Sequence, residues 1–339
     1  MNVYFTVDTE SSMGGAWQHP DRRPLNASRR IFCRIGGASF GVPLLVRIMG
    51  NFGLRGTYFV ETLASRCLGE PDLRSVFEFL LHEGQDVQLH IHPNYRFYSD
   101  WKDAQRNGTQ YAIPEPRDLI GHFSESLQLE LLSEAIGYFE KCAGCRPTAF
   151  RAGNFAGSHS MMRCLHKLGI YVDSSFNPCF HPEVSFPESM PSPNVVRNIQ
   201  GVWELPVTVA RTRLPEGYKG LKFADSSALS SPEIRTMLDS AEASGQRHFV
   251  IVFHSFSAVK ARDATYEEMR PNRIVIRRLE KLFEYLAANG ERFQVQTMGH
   301  AAANLDLLEE GSEQELPDLG IIKPSVRKVV QLINRAYWV

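Results

Sequence analysis

Asp8 and Glu10, His90 and His92, Arg151, Asp173 and His254 are the side chains of this sequence best suited to bond-making chemistry, and each stands at the end of a short β-prone run. Residues i and i+2 of an extended strand face the same way, so Asp8 with Glu10, and His90 with His92, can each aim two groups at one point. Pro93 closes the second run. Two neutral imidazoles and a carboxylate form a common ligand set for a catalytic zinc-type ion, with positions left for water and substrate. The other carboxylate of the first run is then free to act as a general base. Taken singly, a His or Asp at a strand end is more often a cap or a satisfied core polar group. Several ionisable groups converging on one place are a different matter, because their desolvation is costly unless a metal or substrate offsets it.

The elements that must position these groups follow from the apolar patterning. Strands are expected at 2–7, 56–60, 87–90, 148–151, 170–173, 202–207, 248–253 and 293–297. Helices are expected at 40–49, 72–81, 124–140 and 158–167, while 11–37 and 94–117 read as loops. Strands alternating with helices pair in parallel, since each crossover returns the chain in the same direction. About seven such strands favour a closed or nearly closed barrel. Its carboxyl-end face is where the reactive residues fall. Residues 310–323 read as a linker after a barrel spanning 1–309, and 324–337 as an amphipathic helix with Val326, Val329, Val330, Ile333 and Tyr337 beside Arg327, Lys328 and Arg335. That pattern suits packing on the barrel, a second copy of the chain in a homo-oligomer, or contact with a membrane surface.

Composition narrows the classes of function. The 339 residues carry 37 Lys plus Arg against 38 Asp plus Glu, a formal charge of -1, so no global field draws the chain to nucleic acid. No stretch is long and apolar enough to cross a bilayer and the first residues lack a signal pattern, so the expected location is cytoplasmic. Six Cys are too sparse for a disulfide framework, and Cys142 and Cys145 read as part of a turn rather than half of a zinc site.

Five segments together resemble the motifs of the polysaccharide deacetylase family, the NodB-homology domain of carbohydrate esterase family 4, over roughly residues 1–300. They are Phe5-Thr-Val-Asp-Thr-Glu10, Val87-Gln-Leu-His-Ile-His-Pro93, Phe150-Arg-Ala-Gly-Asn154, Asp173-Ser-Ser-Phe176 and Val252-Phe-His-Ser255. Gly56-Thr-Tyr-Phe-Val60 is similar to the family's second strand. Two positions differ from the common pattern. The family's adjacent aspartates are replaced by Asp8-Thr9-Glu10, and its two histidines lie four apart, where this chain has Asn94 at the fourth position and its second histidine at His92. The His-x-His-Pro form resembles that of relatives linked to surface-polysaccharide synthesis, with Asn94 as the alternative ligand.

The resemblance implies a distorted (β/α)7 barrel, a divalent metal ion, zinc being the expected one, and hydrolysis of the N-acetyl group of an amino sugar. Asp8 takes the place of the catalytic base, and Glu10, His90 and His92 those of the metal ligands. His254 would protonate the departing amine, Arg151 would orient Asp8, and Asp173 would hold the His254 ring. Tyr95, Phe97, Tyr98 and Trp101 follow the histidines and could either stack on sugar rings or pack on one another. The same constellation could serve another C–N bond, such as a formamide or cyclic ureide. A non-catalytic carbohydrate-binding barrel is the third reading, disfavoured because binding alone needs neither a base nor an acid.

Overall fold

The computed structural model describes residues 1–180, 184–186, 192–213 and 219–336, with side chains described as far as residue 332. Its centre is a curled sheet of β1 (Asn2–Thr9), β2 (Thr57–Glu61), β3 (Asp86–Ile91), β4 (Ala149–Ala152), β5 (Val172–Asp173), β6 (Val202–Glu204) and β7 (His248–His254). All neighbours along the order β7-β1-β2-β3-β4-β5-β6 are parallel. Strand β8 (Gln294–Gln296) joins β1 in parallel along Asn2–Tyr4, and Arg197–Ile199 adds an antiparallel edge to β6. The gap between the two ends of the sheet is bridged by hydrogen bonds from the segment after β6: Val207 N to Phe176 O (2.9 Å), Thr208 N to Val250 O (3.2 Å) and Ser226 N to Val252 O (3.1 Å). The result is the expected distorted barrel.

The crossovers are α1 (Val42–Gly50), α2 (Glu70–His82), α3 (Asn94–Arg106) with α4 (Glu125–Ala143), α5 (His159–Lys167), α6 (Ser231–Ala243) and α7 (Arg273–Ala288). Their ends are written locally. Ser124 caps α4 by accepting from Leu127 N, Gly144 closes it in the left-handed region at φ 71°, and Ser158 caps α5 through Met161 N. Two expectations need correction. The stretch 94–117 begins with the thirteen-residue α3, and 11–37 contains a short helix, Ala27–Arg30, and the first strand of a hairpin. α6 and α7 lie where no helix was expected, although Ser230 and Glu233 form a capping box at the start of α6.

The alternating period of β1 decides what fills the barrel. Val3, Phe5 and Val7 pack outward in the core shared with the helices, whereas Tyr4 joins Phe59, Val172, Leu205 and Val250 in an apolar layer plugged by Met298 and Ala301. Two and four residues further along the inward face of β1 come Thr6 and Asp8, so polarity rises towards the carboxyl end. The C-terminal helix, α8 (Ile322–Ala336), is held to the start of α6 by an Arg327–Glu233 ion pair of 2.9 Å and by Gln331 donating to Ala228 O. Val326, Val329 and Leu332 remain exposed. The side chain of Ile333 and all of Tyr337 lie outside the described residues. Among the described residues no helix is long and apolar enough to cross a membrane.

Candidate active site

Parallel register brings the motif residues side by side. Asp8 is aligned with His254, His90 with Arg151, and Glu61 with His90. One ligand atom from each of Glu10, His90 and His92 lies within 4.8 Å of the others. Glu10 Oε2 is 2.8 Å from His92 Nε2 and 3.4 Å from His90 Nε2. His92, rather than Asn94, is seated against Glu10.

The second nitrogen of each ring is tied down, which fixes where the first one points. His90 Nδ1 donates to Arg151 O at 2.8 Å, which turns Nε2 towards Glu10. His92 Nδ1 donates to Asp118 Oδ2 at 2.9 Å, and Asn154 Nδ2 donates to the same oxygen at 2.8 Å. This is the carboxylate–histidine arrangement that orients metal-binding imidazoles. Gly153 makes room for it, because a Cβ there would stand 2.6 Å from the His92 ring. Burial disfavours a charged His92, yet Asp118 and Glu10 outweigh it and hold the imidazole well above its ordinary range. Burial likewise opposes a charged Glu10, but His92 and the hydrogen bonds from both rings hold it well below the carboxylate range. The cluster is therefore a largely enclosed carboxylate facing two histidine rings, a donor set that fits a divalent cation of the zinc type.

Asp8 is set apart from this cluster by its own partner. Arg151 is fully buried, and its Nη1 donates to Asp8 Oδ1 at 2.7 Å and to Thr6 Oγ1 at 2.8 Å. Nε and Nη2 donate to Ser174 O and Oγ at 2.9 and 3.0 Å, and the guanidinium lies 4.5 Å from the centroid of the Phe59 ring. Burial alone would raise the Asp8 carboxyl, but Arg151, with His90 and His254, overrides it and keeps the pKa below the ordinary value. His254 Nε2 stands 3.8 Å from Asp8 Oδ2, with 27% of its side chain exposed. It is the member of the group that most readily meets a substrate.

Asp173 departs from its expected place. Its carboxylate accepts from Ser175 N (3.1 Å) and Oγ (2.7 Å) and lies beside Glu204 across β5 and β6. Among the described residues no hydrogen bond or ion pair joins Asp173 to His254; the Asp173 carboxylate turns to Ser175 and Glu204, and the His254 ring faces Asp8. Burial, and then the Asp173 charge, raise the Glu204 carboxyl well above its ordinary range. The aromatic expectation resolves towards packing: Tyr95, Phe97 and Tyr98 are buried, and Trp17 stacks on Trp101 at 5.5 Å and meets Tyr98 edge-on at 5.0 Å.

Three further residues belong to the site. Besides Asp118, Glu61 accepts from His92 N (3.3 Å), Leu63 N and Ala64 N, and its burial pushes the carboxyl up to about 8. Arg30 reaches within 3.8 Å of Glu10 Oε1 while lying on the Phe256 ring and bonding the Tyr266 hydroxyl. Only the placement of Glu61 at the end of an expected strand gave a signal in the sequence.

No family model matches this chain, and no curated protein matches it. Among solved structures it is similar to a candidate polysaccharide deacetylase from Mycobacterium smegmatis, at 17% identity over 92% of this chain and 93% of that one, with a TM-score of 0.53. It is similar also to Puue allantoinase, at 14% identity over 92% of each chain and a TM-score of 0.52. At these identities the likeness establishes the shared fold.

Proposed function

We propose that this chain is a metal-dependent amide hydrolase of the polysaccharide deacetylase family that removes N-acetyl groups from an amino sugar or glycan precursor, in the synthesis of surface polysaccharide. The observation that carries this reading is the adjacency of two devices, the Glu10–His90–His92 cluster with its ligand atoms within 4.8 Å, and the Asp8–His254 pair at 3.8 Å. An acetamide is a poor electrophile with a poor leaving group, so its hydrolysis needs a polarised carbonyl, an activated water and a proton for nitrogen. Lewis acidity is what a divalent ion such as zinc supplies when Glu10, His90 and His92 hold it. The protein's residues do the rest. Asp8, kept ionised by Arg151, accepts the proton of the attacking water. Arg151 also holds Asp8 by its Oδ1, while its remaining contacts to Ser174 and Thr6 anchor the guanidinium. His254, at the open side of the pair, delivers a proton to the departing amine.

A second reading, ring opening of a cyclic ureide, is favoured by the TM-score to the allantoinase, which nearly equals that to the deacetylase. Metal-loaded protein is to be offered N-acetylated sugars, their nucleotide- and lipid-linked forms, and allantoin. Acetate release is the expected result. Ring opening of allantoin without acetate release would establish the second reading, and no turnover of any of these would overturn both.

A further inference from the structure

Beside the catalytic cluster lies a cleft of about 1150 Å³, walled by the segment after β1, the outer side of α3 and the Thr265–Glu267 turn. Its lining is rich in charge of both signs, but the acids are mostly engaged. Asp72 accepts from Ala27 N with both oxygens, Asp103 pairs with Arg106, and Glu267 pairs with Arg29. The side chains of Arg22, Arg23 and Lys102 have no hydrogen bond or ion pair among the described residues, against the one unpaired carboxylate of the lining, Asp21.

Two of these cations are held by packing rather than by a counter-ion. Arg22 lies over the turn at Gly15, whose φ is +82° and where a Cβ would stand 2.9 Å from Arg22 Nη1. Arg22 feels the charge of nearby Asp263, which is bonded to Thr265 N and Oγ1, without forming an ion pair with it. Lys102 rests on Trp101 and Tyr98, 4.8 and 5.6 Å from the ring centroids. Such cations keep their charge available to a ligand. The cleft also touches the chemistry. Arg29 and Thr265 line it and bond each other at 3.3 Å, while their neighbours Arg30 and Tyr266 bond each other on the side of Glu10.

We infer that this cleft is a subsite for a phosphate or diphosphate ester borne by the substrate, with Arg22, Arg23 and Lys102 as its ligands. A multiply charged phosphate matches three cations without a bonded counter-ion better than a single carboxylate does, and the planar forks of two arginines suit its oxygens. Assigning that ester to the acylated sugar rests on the deacetylase reading; the phosphate site itself does not.

The test is calorimetric titration of wild-type protein, Arg22→Ala/Arg23→Ala and the exposed-position variant Arg23→Glu with uridine diphosphate, geranyl diphosphate and glucuronate. Saturable binding of either diphosphate, weakened by about tenfold or more in both variants while their unfolding midpoints match wild type, is expected. The tighter of the two diphosphates tells a nucleotide-linked from a lipid-linked substrate. Absence of saturable diphosphate binding, equal affinity in the variants, or preference for glucuronate would overturn the inference. Diphosphate binding of this kind in a protein that releases no acetate would leave the subsite standing and remove the deacetylase reading. Acetate release with unaltered diphosphate affinity in the variants would do the reverse.

Discussion

At the scale of the residue, the site gives two carboxylates that are two positions apart different partners. Asp8 turns to Arg151, and Glu10 to the imidazoles. Asp118 shows why orientation matters as much as ligation: it receives His92 Nδ1 and so commits Nε2 to the cluster. Asp118→Ala is expected to weaken metal binding by about 10- to 100-fold, measured by competition with a chelator; undiminished affinity would leave His92 oriented by other means. His254→Ala should retain the metal and slow turnover by about 10²–10⁴-fold, the range for a positioned acid. Activity close to wild type in that variant would remove His254 from the mechanism. Asp118 was illegible in the sequence because it sits in a loop 26 residues after His92, with no periodicity tying it to a strand.

At the scale of the element, the barrel strands were legible as short β-prone runs, five of which lead into Asp8, His90, Arg151, Asp173 or His254. Helix α3 was not, since Pro93 and the many polar residues after it look like the start of a loop. The physical reason for the helix is its inner face, where Tyr95, Phe97 and Tyr98 are buried and Phe97 meets Phe123 edge-on at 5.3 Å. These aromatics are therefore structural. Phe97→Ala should cost about 3–5 kcal/mol of stability, the usual range for a buried Phe, seen as a lowered unfolding midpoint. A change in KM for sugar with no loss of stability would instead return Phe97 to a binding role. The capping box at Ser230 and Glu233 was available as a signal for α6, but its helix has only a modest apolar face, and Glu233 is drawn into the contact with Arg327.

At the scale of the whole molecule, Arg151 crosses the barrel interior and joins β1, β4 and the segment after β5 through one guanidinium. Removing it in Arg151→Met strands a buried carboxylate, at a cost of about 3–5 kcal/mol. The folded pKa of Asp8 lies below its unfolded value, so its carboxylate contributes stability above about pH 3.9 that is lost as pH falls through the folded pKa. Without Arg151 the burial of Asp8 is opposed less, and the acid limbs of stability and activity should both move to higher pH; limbs that stay in place would contradict the pairing. The division of labour between Asp8 and Glu10 is the centre of this account, and metal stoichiometry with acetate release on Asp8→Asn and Glu10→Gln measures it most directly. Asp8→Asn keeps the shape of the base but cannot accept a proton, so it should hold its metal while deacetylation falls by orders of magnitude. Glu10→Gln presents a neutral amide where a carboxylate faces two imidazoles, so it should lose metal and recover part of its activity when metal is in excess. Metal lost from Asp8→Asn and kept by Glu10→Gln would contradict the account.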